Sequence, residues 1–176
     1  LWVDVCDRGA DTFEYFAHQH QANQYYLVRA KHNRRVGIPA GGEDQQARLH
    51  TYARRLPEMG RRSVDVPAHA GQRARVATMA VAWSAVTLLP PKNPRGEYDE
   101  TPLTAWVVRT WEVDPPEKVT PLEWILLTNV GVTCLADANE RITWYCRRWI
   151  VEEYHKGMKT GCGIENPQFT TEAGLQ

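Results

Sequence analysis

Between Thr133 and Lys159 the chain places Leu135, Ala138, Ile142, Cys146 and Trp149 three or four residues apart. That spacing forms one long amphipathic helix, and its apolar edge has to lie against another layer. We expect Thr133 to cap the helix and Gly161 to end it, with Lys159 in the last turn. Gly157 inside the run costs about 1 kcal/mol relative to Ala.

Beside the apolar edge runs a second stripe. Tyr145, Arg148, Glu152 and Lys159 stand at offsets of three, seven and fourteen from the tyrosine. At ~100° per residue they share a sector about 60° wide, and the stripe is roughly 21 Å long. One aromatic, two cations and a carboxylate over that length exceed a small-molecule pocket. They suit a phosphate backbone passing a single metal-binding carboxylate.

The start of the chain supplies the layer. Leu1 to Cys6 (LWVDVC) is apolar and β-prone, and it ends in a turn at Asp7-Arg8-Gly9. Asp11 or Thr12 caps a helix reaching about Gln21, with Phe13, Phe16 and Ala17 on its inner edge and His18 and His20 in solvent. Tyr25 to Lys31 reads as a second strand. Strand, helix and strand in succession predict an α/β sheet.

The middle breaks that rhythm. Residues 37–44 read as loop and Asp44 to Arg55 as a short helix. Ser63–Val66, Arg73–Leu89 and Leu103–Val113 are β-prone, separated by Pro- and Gly-rich turns, and the last two pair as a long hairpin. Trp124 to Thr128 is a further strand. We therefore divide the chain into core residues 1–36, a β-rich insertion at 37–119 and core residues 120–176 with the long helix.

Formal net charge is zero, but its distribution is uneven. Eleven Lys/Arg stand between Arg29 and Arg75 against four acids, and seven acids between Glu97 and Glu123 against two cations. Such asymmetry can mark a side that faces a polyanion. No apolar run is long enough to span a bilayer, and none follows a charged leader. The four cysteines form no C-x-x-C pair, which argues against structural zinc and fits a reducing cytosol. Cys6 and Cys146 read as buried apolar residues. Serine-nucleophile and phosphate-loop motifs are absent. The chain opens at Leu1 without an initiator Met, and we read it as a fragment of a longer protein.

Asp7 at a strand end and Glu152 on the helix are hard oxygen donors of the kind Mg²⁺ prefers. The plainer reading has Asp7 capping its turn and Glu152 paired with Arg148 one helical turn away. Trp124, opening an apolar strand, can be a core residue or a stacking platform.

Taken in order, Val5-Cys-Asp7-Arg-Gly-Ala-Asp11, Leu27-Val-Arg29-Ala-Lys31-His32, Trp124-Ile-Leu-Leu-Thr128 and the Tyr-Arg-Glu-Lys stripe resemble the catalytic domain of bacterial cut-and-paste DDE transposases of the insertion-sequence-four type. The resemblance runs from Leu1 to about Glu165. One departure is Gly9, where relatives often carry Glu.

The resemblance implies a partial ribonuclease H-like α/β fold with a β-rich insertion. Asp7 and Glu152 then match the second and third carboxylates of a triad that holds Mg²⁺ or Mn²⁺. Glu153 is turned about 100° away along a helix. The first Asp of the triad would precede Leu1, and Asp4 cannot replace it because strand alternation points it to the other face. Tyr145, Arg148 and Lys159 become phosphate- and end-binding groups, Trp124 a base-stacking aromatic, and Arg29 and Lys31, with His32, contacts to DNA backbone.

The implied reaction is metal-dependent hydrolysis of a phosphodiester at the element end. Attack of the freed 3′-hydroxyl on a second phosphodiester follows. Implied partners are transposon-end DNA, target DNA and a second protomer, in the bacterial cytoplasm at the nucleoid. Two carboxylates in place of three predict that residues 1–176 alone do not cut DNA. Two rivals remain: a ribonuclease H-like nuclease without strand transfer, and a decayed or recruited fragment that binds DNA with steep salt dependence and no need for metal.

Overall fold

A parallel pair opens the fold: strand β1 (Val3–Cys6) lies beside β2 (Tyr25–Arg29), joined by helix α1 (Phe13–Gln21). The computed structural model describes residues 1–39, 45–66, 73–92 and 101–161, with side chains up to residue 148. Then follow β3 (Arg35–Gly37), β4 (Gln46–Arg48), helix α2 (Leu49–Arg55), β5 (Gly60–Val66), β6 (Arg75–Leu88), β7 (Leu103–Glu112), β8 (Glu123–Thr128) and helix α3 (Leu135–Gly161).

Eight strands form one mixed sheet in the order β1-β2-β8-β7-β6-β3-β4, with β5 also on β6. Among the described residues only β1 and β2 run parallel; the other pairs are antiparallel. A parallel pair needs a crossover, and α1 is that crossover. The expected hairpin forms as β6 and β7, in register from Met79↔Glu112 to Leu88↔Leu103.

Each face of the sheet carries its own core. On one side α1 and α2 bury Phe16, Leu49 and Ala53 against Tyr26, Val28, Val107 and Leu127. On the other, α3 buries Ala138, Ile142 and Tyr145 against Leu27, Val108, Trp124 and Leu126. Strand alternation explains the split: Tyr26 and Val28 face α1, while Leu27 faces α3. Each fully buried large apolar side chain contributes about 1.5–3 kcal/mol.

Several local expectations change. Helix α2 is shorter than the Asp44–Arg55 reading, because Gln46–Arg48 pairs as a strand with Arg35–Gly37. Strand β2 stops at Arg29 instead of continuing to Lys31, because the Asp11 carboxylate takes the N–H groups of Lys31 and His32. Thr133 does not cap α3. The Asp137 carboxylate does, accepting from the Thr133 N–H and hydroxyl and from the Cys134 N–H at 2.8, 2.9 and 3.3 Å. His20 is half-buried against Tyr26 rather than solvated, and burial lowers its pKa. Cys6 and Cys146 are half-buried, not fully enclosed. Thr12 caps α1 as expected, its hydroxyl accepting from the Tyr15 N–H.

Candidate functional site

Asp7 directly follows β1 and keeps an extended backbone. Cys6 pairs with Val28, so Asp7 and Arg29 stand at the same level beyond that pair. Val3 and Val5 pack on the α3 side, and alternation assigns Asp7 to that side too. Its side chain is exposed and accepts the Gly9 N–H at 2.7 Å, the plainer turn-capping role. Asp4 faces the other way and accepts the Tyr15 hydroxyl from α1 at 2.8 Å, so it lies apart from Asp7.

Four of the singled-out residues meet where β2, β8 and α3 touch. The Arg29 guanidinium donates to the Tyr145 hydroxyl at 3.5 Å and to the Glu123 carbonyl at 3.3 Å. The Tyr145 ring stands edge-on to Trp124, with centroids 5.3 Å apart. The Arg148 guanidinium lies 5.9 Å from the Tyr145 ring centroid.

Two of these side chains are buried. Tyr145 is 2% exposed and Trp124 is 6% exposed, so both are core side chains here. Trp124 packs on the Tyr145 ring, and the Tyr145 hydroxyl accepts from Arg29. Helical spacing carried the signal for Tyr145: it stands three residues after Ile142 and seven after Ala138, on the same buried edge.

Lys31 and His32 are exposed in the loop after β2. Glu152 and Lys159 belong to the backbone of α3, but their side chains lie outside the described residues. Among the described residues no group of three or more His, Cys, Asp or Glu is arranged to hold a metal.

Two polar clusters escaped the sequence reading. Asp11 is 1% exposed, and besides the two N–H groups of the β2–β3 loop it forms an ion pair with Arg34. Its partners lie at least twenty residues away, and no local pattern announces them. Glu123 pairs with both Arg54 and Arg109. Hydrogen bonds from Arg54, then Arg109, hold its carboxyl below the usual carboxylate range.

Some of these pairs join the basic and acidic stretches of the chain. Arg54 and Arg75, from the basic stretch, meet Glu123 and Glu112 from the acidic one. Folding thus brings parts of the two stretches together. Among the described residues, no helix is long and apolar enough to cross a membrane.

The chain thus combines a mixed α/β sheet, a carboxylate just after its first parallel strand and a long helix whose sequence carries the Tyr-Arg-Glu-Lys stripe. Residues 5–176 match the family described as a transposase DDE domain, and the chain belongs to this family of enzymes, whose substrate is DNA.

Proposed function

We propose that this chain is the catalytic part of a transposase of the insertion-sequence-four type, built on a ribonuclease H-like core with residues 37–119 as a β-rich insertion. One observation carries the reading. Asp7 ends β1 on the α3 side, level with Arg29, and Arg29 holds Tyr145 of the stripe helix. Glu152 follows Tyr145 by seven residues, roughly 10 Å further along the same helix.

Asp7 and Glu152 are the proposed ligands of Mg²⁺ or Mn²⁺, and carboxylate oxygen is the donor such cations prefer. The exposed Asp7 carboxylate has one oxygen on the Gly9 N–H, which orients the group without burying it. When bound, the metal supplies Lewis acidity to the phosphate and lowers the pKa of a nucleophilic hydroxyl or water. The rest falls to this chain's own side chains. Among the described residues Arg29 donates to two neutral oxygens and forms no ion pair, which suits a DNA phosphate. Arg148, Lys159 and Lys31 are further proposed contacts to DNA backbone. Tyr145 positions Arg29, with Trp124 packed behind it; stacking of Trp124 on a base requires the two rings to part.

A third carboxylate belongs to the reading, supplied by a strand laid along the edge of β1 that β2 leaves open. With two carboxylates, residues 1–176 are expected to bind DNA and a divalent ion weakly, and not to cut. End DNA, target DNA and a second protomer are the proposed partners, in a bacterial cytoplasm.

Mn²⁺ titration followed by electron paramagnetic resonance tests the ligands. Weak binding, lost in both Asp7→Asn and Glu152→Gln, supports them; binding untouched by either change refutes them. A precut end offered to target DNA, with the full protein, separates transposition from simple nuclease action: a nuclease gives no joined product.

A further inference from the structure

A cleft of about 720 Å³ opens between the start of α1, the β2–β3 loop and the end of β6. Its walls include Arg34, Arg35, Arg48 and Lys92, against the two acids Asp11 and Glu14. Asp11 is already matched by Arg34. Arg35 donates to the Gln46 side chain at 3.3 Å and the Pro90 carbonyl at 3.1 Å, and Arg48 to the Asn33 carbonyl at 3.2 Å. Those acceptors are neutral, and among the described residues neither guanidinium forms an ion pair. Arg34 adds a buried Nε–H with no hydrogen-bond partner. The first turn of α1 adds the positive end of a helix dipole. A concave site with this balance selects an anion with several acceptor oxygens, which Arg recognises better than a point charge would.

Position narrows the anion. The cleft begins at Asp11, four residues beyond Asp7, and so adjoins the same end of β1. We propose that it seats one or two backbone phosphates of the DNA strand running away from the Asp7 end of the sheet. The inference rests on the transposase reading and adds a second binding surface, reached past the β1–α1 turn and separate from the Arg29–Tyr145 contact.

The test is fluorescence anisotropy of the 176-residue chain with a labelled duplex across a salt series. Arg48 and Lys92 are exposed, so Arg48→Gln with Lys92→Gln removes charge without opening the core. Each phosphate that is no longer neutralised takes about 0.9 off the slope of log K against log salt, so the double variant should be shallower by about 0.9–1.8. Arg48→Lys with Lys92→Arg should restore the slope. Lys92→Gln alone serves if the double variant melts earlier. An unchanged slope overturns the cleft assignment while leaving the transposase reading in place. Absence of DNA binding by the unaltered chain overturns both. Pyrophosphate that displaces the duplex at equal concentration identifies a small phosphate ligand instead, and overturns the DNA assignment.

Discussion

Arg29 and Tyr145 lie 116 residues apart in sequence, yet the guanidinium at the end of β2 donates to the hydroxyl on α3 at 3.5 Å. The contact ties the parallel pair to the stripe helix at the level of Asp7. It is a long hydrogen bond, so its energetic worth is small. Its consequence is placement: a cation that would otherwise wave in solvent is fixed beside the proposed ligand set.

Tyr145 should therefore separate packing from positioning. Tyr145→Ala removes a buried ring that meets Trp124 and should cost about 3–5 kcal/mol in urea unfolding. Tyr145→Phe keeps the ring and should cost about 1 kcal/mol or less. The Phe variant should nevertheless weaken DNA binding, because Arg29 loses its orienting acceptor. Equal stability losses in the two variants would show that the ring is not held in the core.

Asp11 tests a different joint. It is fully buried as a side chain and holds two loop N–H groups and Arg34 together. Asp11→Asn keeps the shape but leaves Arg34 without its counter-charge, and should cost about 3 kcal/mol. In a double-mutant cycle with Arg34→Gln the coupling should reach about 1–3 kcal/mol. A coupling near zero would mean that the backbone hydrogen bonds alone hold the loop.

The legible parts of this chain are the periodic ones. Leu135, Ala138 and Ile142 announce the inner edge of α3, and alternating apolar runs announce the β6–β7 hairpin. Strands β3 and β4 have three residues each, too few for a period to show. Gly37 looks like a loop residue, yet it lies in β3 paired with Thr87, where a Cβ would stand 3.3 Å from the Thr87 side chain. Tyr145 reads as part of the polar stripe because its neighbours in that stripe are charged. Its burial depends on Trp124 and Leu27, which tertiary packing brings from other strands. Asp11 can be read as a helix cap, but its true partners come from a loop one strand further on. Charge interleaving is equally hidden, since it follows from strand pairing and not from composition.

Acid should weaken the β6–β7 end of the sheet through Glu112. This carboxylate is nearly buried, pairs with Arg75 and accepts the Leu122 N–H at 3.1 Å. The Arg75 hydrogen bonds hold its pKa below the usual value. A depressed folded pKa means stability that is present above the unfolded value of about 4.3 and lost as pH falls through the folded one. Glu112→Gln should thus cost about 2–3 kcal/mol at neutral pH, below the range for a fully buried pair because Arg75 keeps some solvent. The gap between the two proteins should close below about pH 4. Urea unfolding at the two pH values checks it, and a gap independent of pH would assign the loss to packing.

Asp7 carries two separable jobs, and substitution can part them. Its Oδ1 caps the turn through the Gly9 N–H, a job that Asn can also do. Asp7→Asn should leave stability within about 0.5 kcal/mol, as expected of an exposed side chain, whereas Asp7→Ala should cost about 1 kcal/mol. Divalent-ion binding needs the charge and should fail in both. Gly9 sharpens the distinction. A Cβ at that position would stand 3.1 Å from Oδ1, so in Gly9→Ala the carboxylate has to shift by a few tenths of an ångström, which lengthens the cap while keeping its charge. That variant should lose turn stability and retain Mn²⁺ affinity. Retention in Asp7→Asn, or loss in Gly9→Ala with stability unchanged, would make Asp7 a turn residue and move the metal elsewhere.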